Sequence, residues 1–198
     1  MKYENFSIKK AMNMIVQKQM YLPEFQRSFV WYEEQIENLF DSIIMGYPIG
    51  TLLFWKTTKK AITENNLVLY EFIKDYHQRD CADNKKAPEK LVTDYDNYYL
   101  VLDGQQRLSA LYIALQGSIA YKIKKKWWNT DEAFPKKKLY FNLDSVSEQK
   151  QDEDGNVKRF KFYSDKEVPT SDNFWFKVCN IIDFDTEFDV FQYIYTYG

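Results

Sequence analysis

The apolar positions along the chain fall into short, well-separated runs. Ser7 followed by Ile8, Met12 and Ile15 on one face predicts a capped helix over roughly 8–18. Leu22-Pro23 interrupts that pattern, because the residue before a proline is driven out of the helical region. Glu24 to Trp31 reads as a polar and aromatic connection. Ile36, Leu39, Phe40 and Ile43 then form the stripe of a helix from about Tyr32 to Met45, with Glu33 and Glu34 at its positive end and Gly46 and Pro48 as its stop. Thr51 to Trp55 is continuously apolar and predicts a buried strand, and Asn66 to Ile73 predicts another. Lys74 to Tyr95 is mostly polar and reads as a long irregular excursion.

The clearest change of pattern comes next. An apolar strand, Tyr98 to Leu102, stops at Asp103-Gly104, and a helix from Gln105 to about Gln116 follows, closed by Gly117. Leu139 to Leu143, Val157 to Tyr163 and Phe174 to Val178 read as strands, with Asp154-Gly155-Asn156 as a hairpin turn. Thr186 to Tyr195 is a helix or an extended aromatic segment, and periodicity does not decide between them. The sum is an α+β fold with a mixed sheet and flanking helices. The character changes after Gly117, and the chain is divided into a first domain, 1–145, and a β-hairpin and aromatic extension, 146–198. The aromatic ending, with no polar tail, predicts that the chain is a piece of a longer protein.

Composition narrows the chemistry. The 198 residues carry 27 basic and 29 acidic side chains, which excludes a globally basic nucleic-acid binder but leaves room for a local basic patch. With 16 Tyr and 15 Phe, some aromatic rings are expected to line a groove or an interface. A single histidine, His77, argues against a Ser-His-Asp triad, a histidine-rich metal site and an HNH-type nuclease centre on the given sequence. His77 and Cys81 lie one helical turn apart but lack further ligands. Two distant cysteines form no disulfide framework and point to a reducing cytoplasm, and no run approaches membrane-spanning length.

Three features carry candidate chemistry. The junction Asp103-Gly104-Gln105-Gln106-Arg107 joins a strand to a helix start, a place where backbone N–H groups and the helix dipole favour an anion and an arginine fork adds charge-assisted bonds. The same string is also what a helix start capped by Asp103 looks like. Leu22-Pro23-Glu24-Phe25-Gln26-Arg27 fixes a Gln-Arg pair among aromatics, either to clamp a phosphate or to pack Arg27 over Trp31. Lys122, Lys124, Lys125 and Lys126 precede Trp127-Trp128, and Lys136 to Lys138 follow. This is either a DNA-tracking patch, extended by Lys158, Arg159 and Lys161, or a solvated basic loop whose tryptophans plug the core. The alternating Asp183, Asp185, Glu187 and Asp189 read as the solvent face of an edge strand or irregular segment rather than a metal site. Asn142 and Asp144 end a strand near the cleft.

Leu-Pro-Glu-Phe-Gln-Arg-Ser-Phe-Val-Trp at 22–31, Gln-Ile-Glu-Asn-Leu-Phe-Asp-Ser-Ile-Ile-Met-Gly-Tyr-Pro-Ile-Gly at 35–50 and Leu-Asp-Gly-Gln-Gln-Arg-Leu at 102–108, in that order, resemble the N-terminal module of GmrSD-type modification-dependent restriction systems. That module belongs to the ParB/sulfiredoxin-like superfamily. The resemblance is clear over 5–117 and fades beyond 145. It implies a nucleoside triphosphate, with Mg²⁺, bound by Gln26, Arg27, Asp103, Gly104, Gln105, Gln106 and Arg107. It also implies hydrolysis resting on Asp103, Gln106 and Arg107. Lys124, Lys125, Lys126, Trp127 and Trp128 are the candidate DNA contacts. The implied partners are DNA and a nuclease domain or subunit, with a homodimer left open and no membrane. Many relatives carry a histidine-rich nuclease centre further on, and the given sequence has none.

Overall fold

A computed structural model describes residues 6–88, 91, 95–143, 159–169 and 174–197. Among these residues the elements follow in the order α1 (Ile8–Val16), β1 (Met20–Pro23), α2 (Glu33–Ile44), β2 (Leu53–Thr57), α3 (Lys59–Glu64), β3 (Leu69–Tyr70), β4 (Asp75–His77), β5 (Tyr98–Asp103), α4 (Gln105–Gln116), β6 (Ser118–Ala120), β7 (Lys138–Asn142), β8 (Phe160–Tyr163), β9 (Trp175–Lys177) and α5 (Glu187–Tyr197). The fold is α+β. A mixed sheet runs β2-β5-β1-β3, with β1 and β5 parallel and the outer pairs antiparallel. A parallel pair, β4-β6, and an antiparallel ribbon, β8-β7-β9, complete it.

Helices α1 and α2 lie where their apolar stripes place them, and α4 where the strand-turn-helix pattern places it. Ser7 caps α1 by accepting from the Lys10 N–H at 3.1 Å. Helix α4 departs from the usual one-sided stripe, because ten of its twelve residues, Gln105 to Leu115 apart from Arg107, are buried. It runs through the middle of the main apolar cluster, which joins Met12 of α1, Ile36 of α2, Val101 of β5 and Leu139 of β7. Phe160, Phe162 and Val178 belong to that same cluster, so the strands after residue 145 pack into it as well. The hairpin expected at Asp154-Gly155-Asn156 lies outside the described residues, as do Asp144 and Lys158.

Several expectations are corrected. Met20–Pro23, read only as a helix break, is a fully buried strand between β5 and β3. Proline is tolerated there because it is the strand's last residue. The apolar run at 51–55 is not a buried strand. Strand β2 lies at the edge of the sheet with Leu53 and Trp55 exposed. The strand expected over 66–73 shrinks to Leu69–Tyr70, and the excursion at 74–95 contains β4. The acidic alternation near the end, read as an edge strand or irregular segment, is no edge strand: a 3₁₀ turn ends at Asp183, 184–186 is irregular, and Glu187 begins α5. There the Asp189 carboxylate accepts from the Thr186 N–H at 2.8 Å and the Thr186 hydroxyl stands 3.3 Å from the Asp189 N–H.

Gly117 ends α4 and permits the β4-β6 pairing. A Cβ there would overlap the Lys74 carbonyl oxygen, which accepts from the Ser118 N–H at 3.3 Å. Gly117→Ala is therefore expected to destabilise the fold by about 1–3 kcal/mol, read from urea midpoints, because backbone is the obstacle and cannot rotate away. Burial also pushes the Tyr21 hydroxyl from 10.0 up to about 12. The neutral form is favoured in the folded state, so its contribution is intact below pH 10 and is lost as pH rises toward 12. Urea midpoints measured across that window should fall, and Tyr21→Phe should shallow the fall.

Candidate functional site

Strands β1 and β5 run parallel, so their C-terminal ends open on the same edge of the sheet, where ligands of such folds characteristically sit. The chain leaves β1 as the 24–32 segment and leaves β5 directly into α4. Between them, Gly104 holds a left-handed conformation at φ 84°, which lets the backbone turn from strand to helix without a Cβ penalty. Gly104, not Asp103, is the cap residue, and no side chain caps α4. The reading of Asp103 as a helix cap therefore fails. Asp103 is the last strand residue and is 67% exposed.

The two glutamines of the motif hold the 24–32 segment. Gln106 Oε1 accepts from the Val30 N–H at 2.9 Å, and its Nε2 donates to the Ser28 carbonyl at 3.0 Å. This pairs a side-chain amide with the backbone as a neighbouring strand would. Gln105 Nε2 donates to the Arg27 carbonyl at 2.6 Å, and Gln26 Nε2 donates back to the Leu102 carbonyl at 3.0 Å. Tyr121 closes the far end by donating to the Trp31 carbonyl at 2.5 Å. Burial raises the Tyr121 pKa well above the usual tyrosine value, so that donor stays protonated.

Arg107 points the other way. Its Nη1 donates to the Ile49 carbonyl at 2.6 Å, and its Nη2 lies 3.5 Å from Asp103 Oδ2. Gly50 makes room for it: a Cβ there, at φ 82°, would overlap Arg107 Nη1, whereas one on Gly104 would overlap the Leu52 side chain first and stand 3.1 Å from Nη2. The guanidinium is thus fixed on the 46–52 segment, 21% exposed, with part of its fork still available.

On the glutamine side lies a cleft of about 270 Å³, lined among others by Glu24, Gln26, Ser28, Asp83, Asn84 and Gln105. Ser28 donates to Asp83 at 3.1 Å. Gln105 is 5% exposed, and its Oε1 is buried without a hydrogen-bond partner. The candidate residues therefore divide. Gln26 and Gln105 line this cleft, Asp103 and Arg107 meet beside Ile49 and Gly50, and Gln106 is engaged with the loop between them. The Arg27 backbone is tied to Gln105, while its side chain is exposed and makes no ion pair among the described residues. Sequence reasoning missed Gly50, Ser28, Asp83 and Asn84. Only Gly50 carried a signal, as a glycine just before an apolar run.

Lys124, Lys125, Lys126, Trp127 and Trp128 form a separate turn after β6. Trp127 is 83% exposed and Trp128 is 47% exposed, so the core-plug reading fails for Trp127. Arg159 does not extend this patch, because it pairs with Asp41 of α2 at 2.9 Å. Among the described residues no group of three or more His, Cys, Asp or Glu could hold a metal ion.

The model of the family described as GmrSD restriction endonuclease, N-terminal domain, matches residues 8–197, and the chain belongs to that family. An uncharacterized protein of Methanocaldococcus jannaschii (strain ATCC 43067) is 33% identical over 94 residues, 48% of this chain. The chain spans only a small part of that relative, 14% of its length.

The glutamine bracket is directly testable. Gln106→Met keeps the volume but leaves the Val30 N–H and Ser28 carbonyl without their partners. It is expected to cost about 2 kcal/mol in urea unfolding and to speed proteolysis within 24–31, since an unpaired buried polar group costs about 1–3 kcal/mol.

Proposed function

We propose that this domain is the nucleotide-binding module of a restriction system that acts on foreign or modified DNA, working with a nuclease domain or subunit. Family membership supports the restriction role. The observation that carries the nucleotide reading is the start of α4, turned by Gly104 with no side-chain cap and followed by an arginine held on the Ile49 carbonyl beside Gly50. Backbone N–H groups at a helix start and a pre-oriented guanidinium together suit a phosphate chain. Holding Arg107 against Ile49 in advance removes the entropy that a free arginine would lose on binding.

The cleft on the other side suits the opposite end of the ligand. Glu24, Asp83 and the unpartnered Gln105 Oε1 are acceptors and would repel a phosphate, whereas they match hydroxyl and amino donors of a ribose or base. In this reading Gln26 and Gln105 hold the nucleoside, and Arg107, Gly104 and Arg27 hold the phosphates. Mg²⁺ would enter with the triphosphate, and Asp103 is the residue that would hold it, in keeping with a cation held by few protein ligands plus phosphate oxygens. Asp103 is exposed enough to orient a water for hydrolysis.

A second reading is nucleotide as a switch that recruits the nuclease without turnover. It is favoured by Gln106, expected to be catalytic, having both amide atoms engaged with Val30 and Ser28. Turnover assays separate the two.

Thermal-shift titration with ATP, GTP, CTP and UTP in the presence of Mg²⁺ tests binding. One or more nucleotides are expected to stabilise the domain by about 2.7 kcal/mol at 100 times Kd. Arg107→Ala and Gly50→Ala should lower affinity at least about tenfold, the latter by displacing the guanidinium. No shift with any nucleotide, or equal shifts in both variants, overturns the site.

A further inference from the structure

The 122–130 turn has a construction that its sequence alone does not reveal. Lys125 sits at φ 67°, in the left-handed region that a lysine rarely adopts, so the turn is held by its surroundings. The Ile123 N–H donates to the Ala133 carbonyl at 2.8 Å, and the Lys122 N–H donates to Gln78 Oε1 at 2.9 Å. The Thr130 hydroxyl donates to the Trp127 carbonyl at 3.0 Å. Trp128 packs edge-on against Phe134 at 5.2 Å, with Arg79 over the same Phe134 ring. The backbone and Trp128 anchor the turn, and Trp127, at its tip, turns an indole to solvent.

Charge around this tip is uneven. Arg79 is engaged by Asp80 and Asp131, and Lys126 lies 3.5 Å from Glu132, so the local carboxylates already have cationic partners. Lys124 and Lys125 are exposed and have no acidic partner among the described residues. An exposed indole on an anchored turn, with two uncompensated lysines two and three residues before it, matches an unstacked base beside its phosphates. Base–aromatic stacking and lysine–phosphate attraction are the two terms that bind single-stranded nucleic acid. A membrane surface fits less well, because there is one tryptophan tip and no amphipathic helix behind it.

We propose that this turn is a nucleic-acid contact, in which Trp127 stacks on an unpaired or everted DNA base while Lys124 and Lys125 hold the adjoining phosphates. The proposal rests on the reading that the domain serves DNA restriction, and it names the surface by which the domain meets its DNA. Trp128, held by Phe134, is a support and not a contact.

Fluorescence anisotropy with three labelled DNAs tests it: a single strand, a duplex with one unpaired base, and a fully paired duplex. The first two are expected to bind more tightly than the third. Trp127→Ala should weaken the first two about tenfold or more, with Trp127→Phe restoring most of the loss. Lys124→Ala with Lys125→Ala should lower the salt slope on the single strand by about 1.4, the release expected for two phosphates. Wild-type protein that binds none of these DNAs, or Trp127→Ala protein that binds like wild type, overturns the proposal. So does loss of affinity for phosphatidylserine vesicles in Trp127→Ala without loss for DNA. The nucleotide shift run on the same Trp127→Ala protein keeps the two readings apart. A retained shift with no DNA effect removes only the turn, and a missing shift in wild type removes only the nucleotide site. An unchanged melting temperature in Trp127→Ala excludes misfolding as the cause.

Discussion

A helix surrounded by protein cannot rely on water to satisfy the polar groups at its ends, and much of this structure follows from that constraint on α4. Its apolar residues fill the centre of the core, and its first turn is carried into the protein with them. Two amide side chains are buried there, where each unmatched donor or acceptor is costly. Gln106 meets the cost completely by pairing with the backbone of Ser28 and Val30. The 24–32 segment is therefore a structural partner of α4 as much as a loop. Gln105 meets it by half, through Arg27, and leaves Oε1 without a partner at the cleft. The fold thus satisfies one glutamine completely and leaves the other with a buried, unpartnered acceptor in a residue that lines the cleft.

The sequence disclosed α1 and α2 because their stripes are local, and it disclosed the strand-turn-helix at 98–116 because apolar run, glycine and polar triplet are all adjacent, while α3 went unread and 186–195 was left between helix and extended segment. What it could not disclose depends on partners far away in the chain. Met20–Pro23 is a strand only because Tyr99 and Leu100 on one side and Leu69 and Tyr70 on the other align with it. Ser118–Ala120 pairs with Asp75–His77 across a separation no local pattern encodes. Leu53–Thr57 is apolar enough for a core but lies at a sheet edge, so hydrophobicity alone misplaced it.

The candidate site was legible as a string and not as an arrangement. Five consecutive residues, Asp103 to Arg107, read naturally as one phosphate cradle. Successive residues of a helix start nevertheless face different directions, and here the division is sharp. Gln105 and Gln106 face the 24–32 segment, and Arg107 faces Ile49 and Gly50. The roles that the side chains can play follow from these directions. An amide with both atoms engaged stabilises a loop, an unpartnered carbonyl oxygen selects donors, and a clamped guanidinium presents charge. Gly50 belongs with them although it lies more than fifty residues away, because its lack of a side chain is what leaves the guanidinium its place.

The nucleotide and DNA readings concern two regions of the molecule that share a physical support. Tyr121, the residue after β6, donates to the Trp31 carbonyl and stacks its ring against Tyr32 at 4.9 Å. The very next residue, Lys122, begins the tryptophan turn. Gln106 grips the same 24–32 segment near its middle. Occupation of the cleft beside Gln105 and Gln26 therefore bears on a segment whose far end is tied to the base of the tryptophan turn. This is contiguity and not by itself coupling, since coupling requires a second arrangement that one ligand favours over the other. It does define where such an arrangement has to lie. Two packed routes lead from the cleft to the tryptophan turn: one through Val30, Trp31 and the Tyr121 donor, the other from Asp83 along the 78–83 segment to Gln78, whose Oε1 accepts from the Lys122 N–H at 2.9 Å.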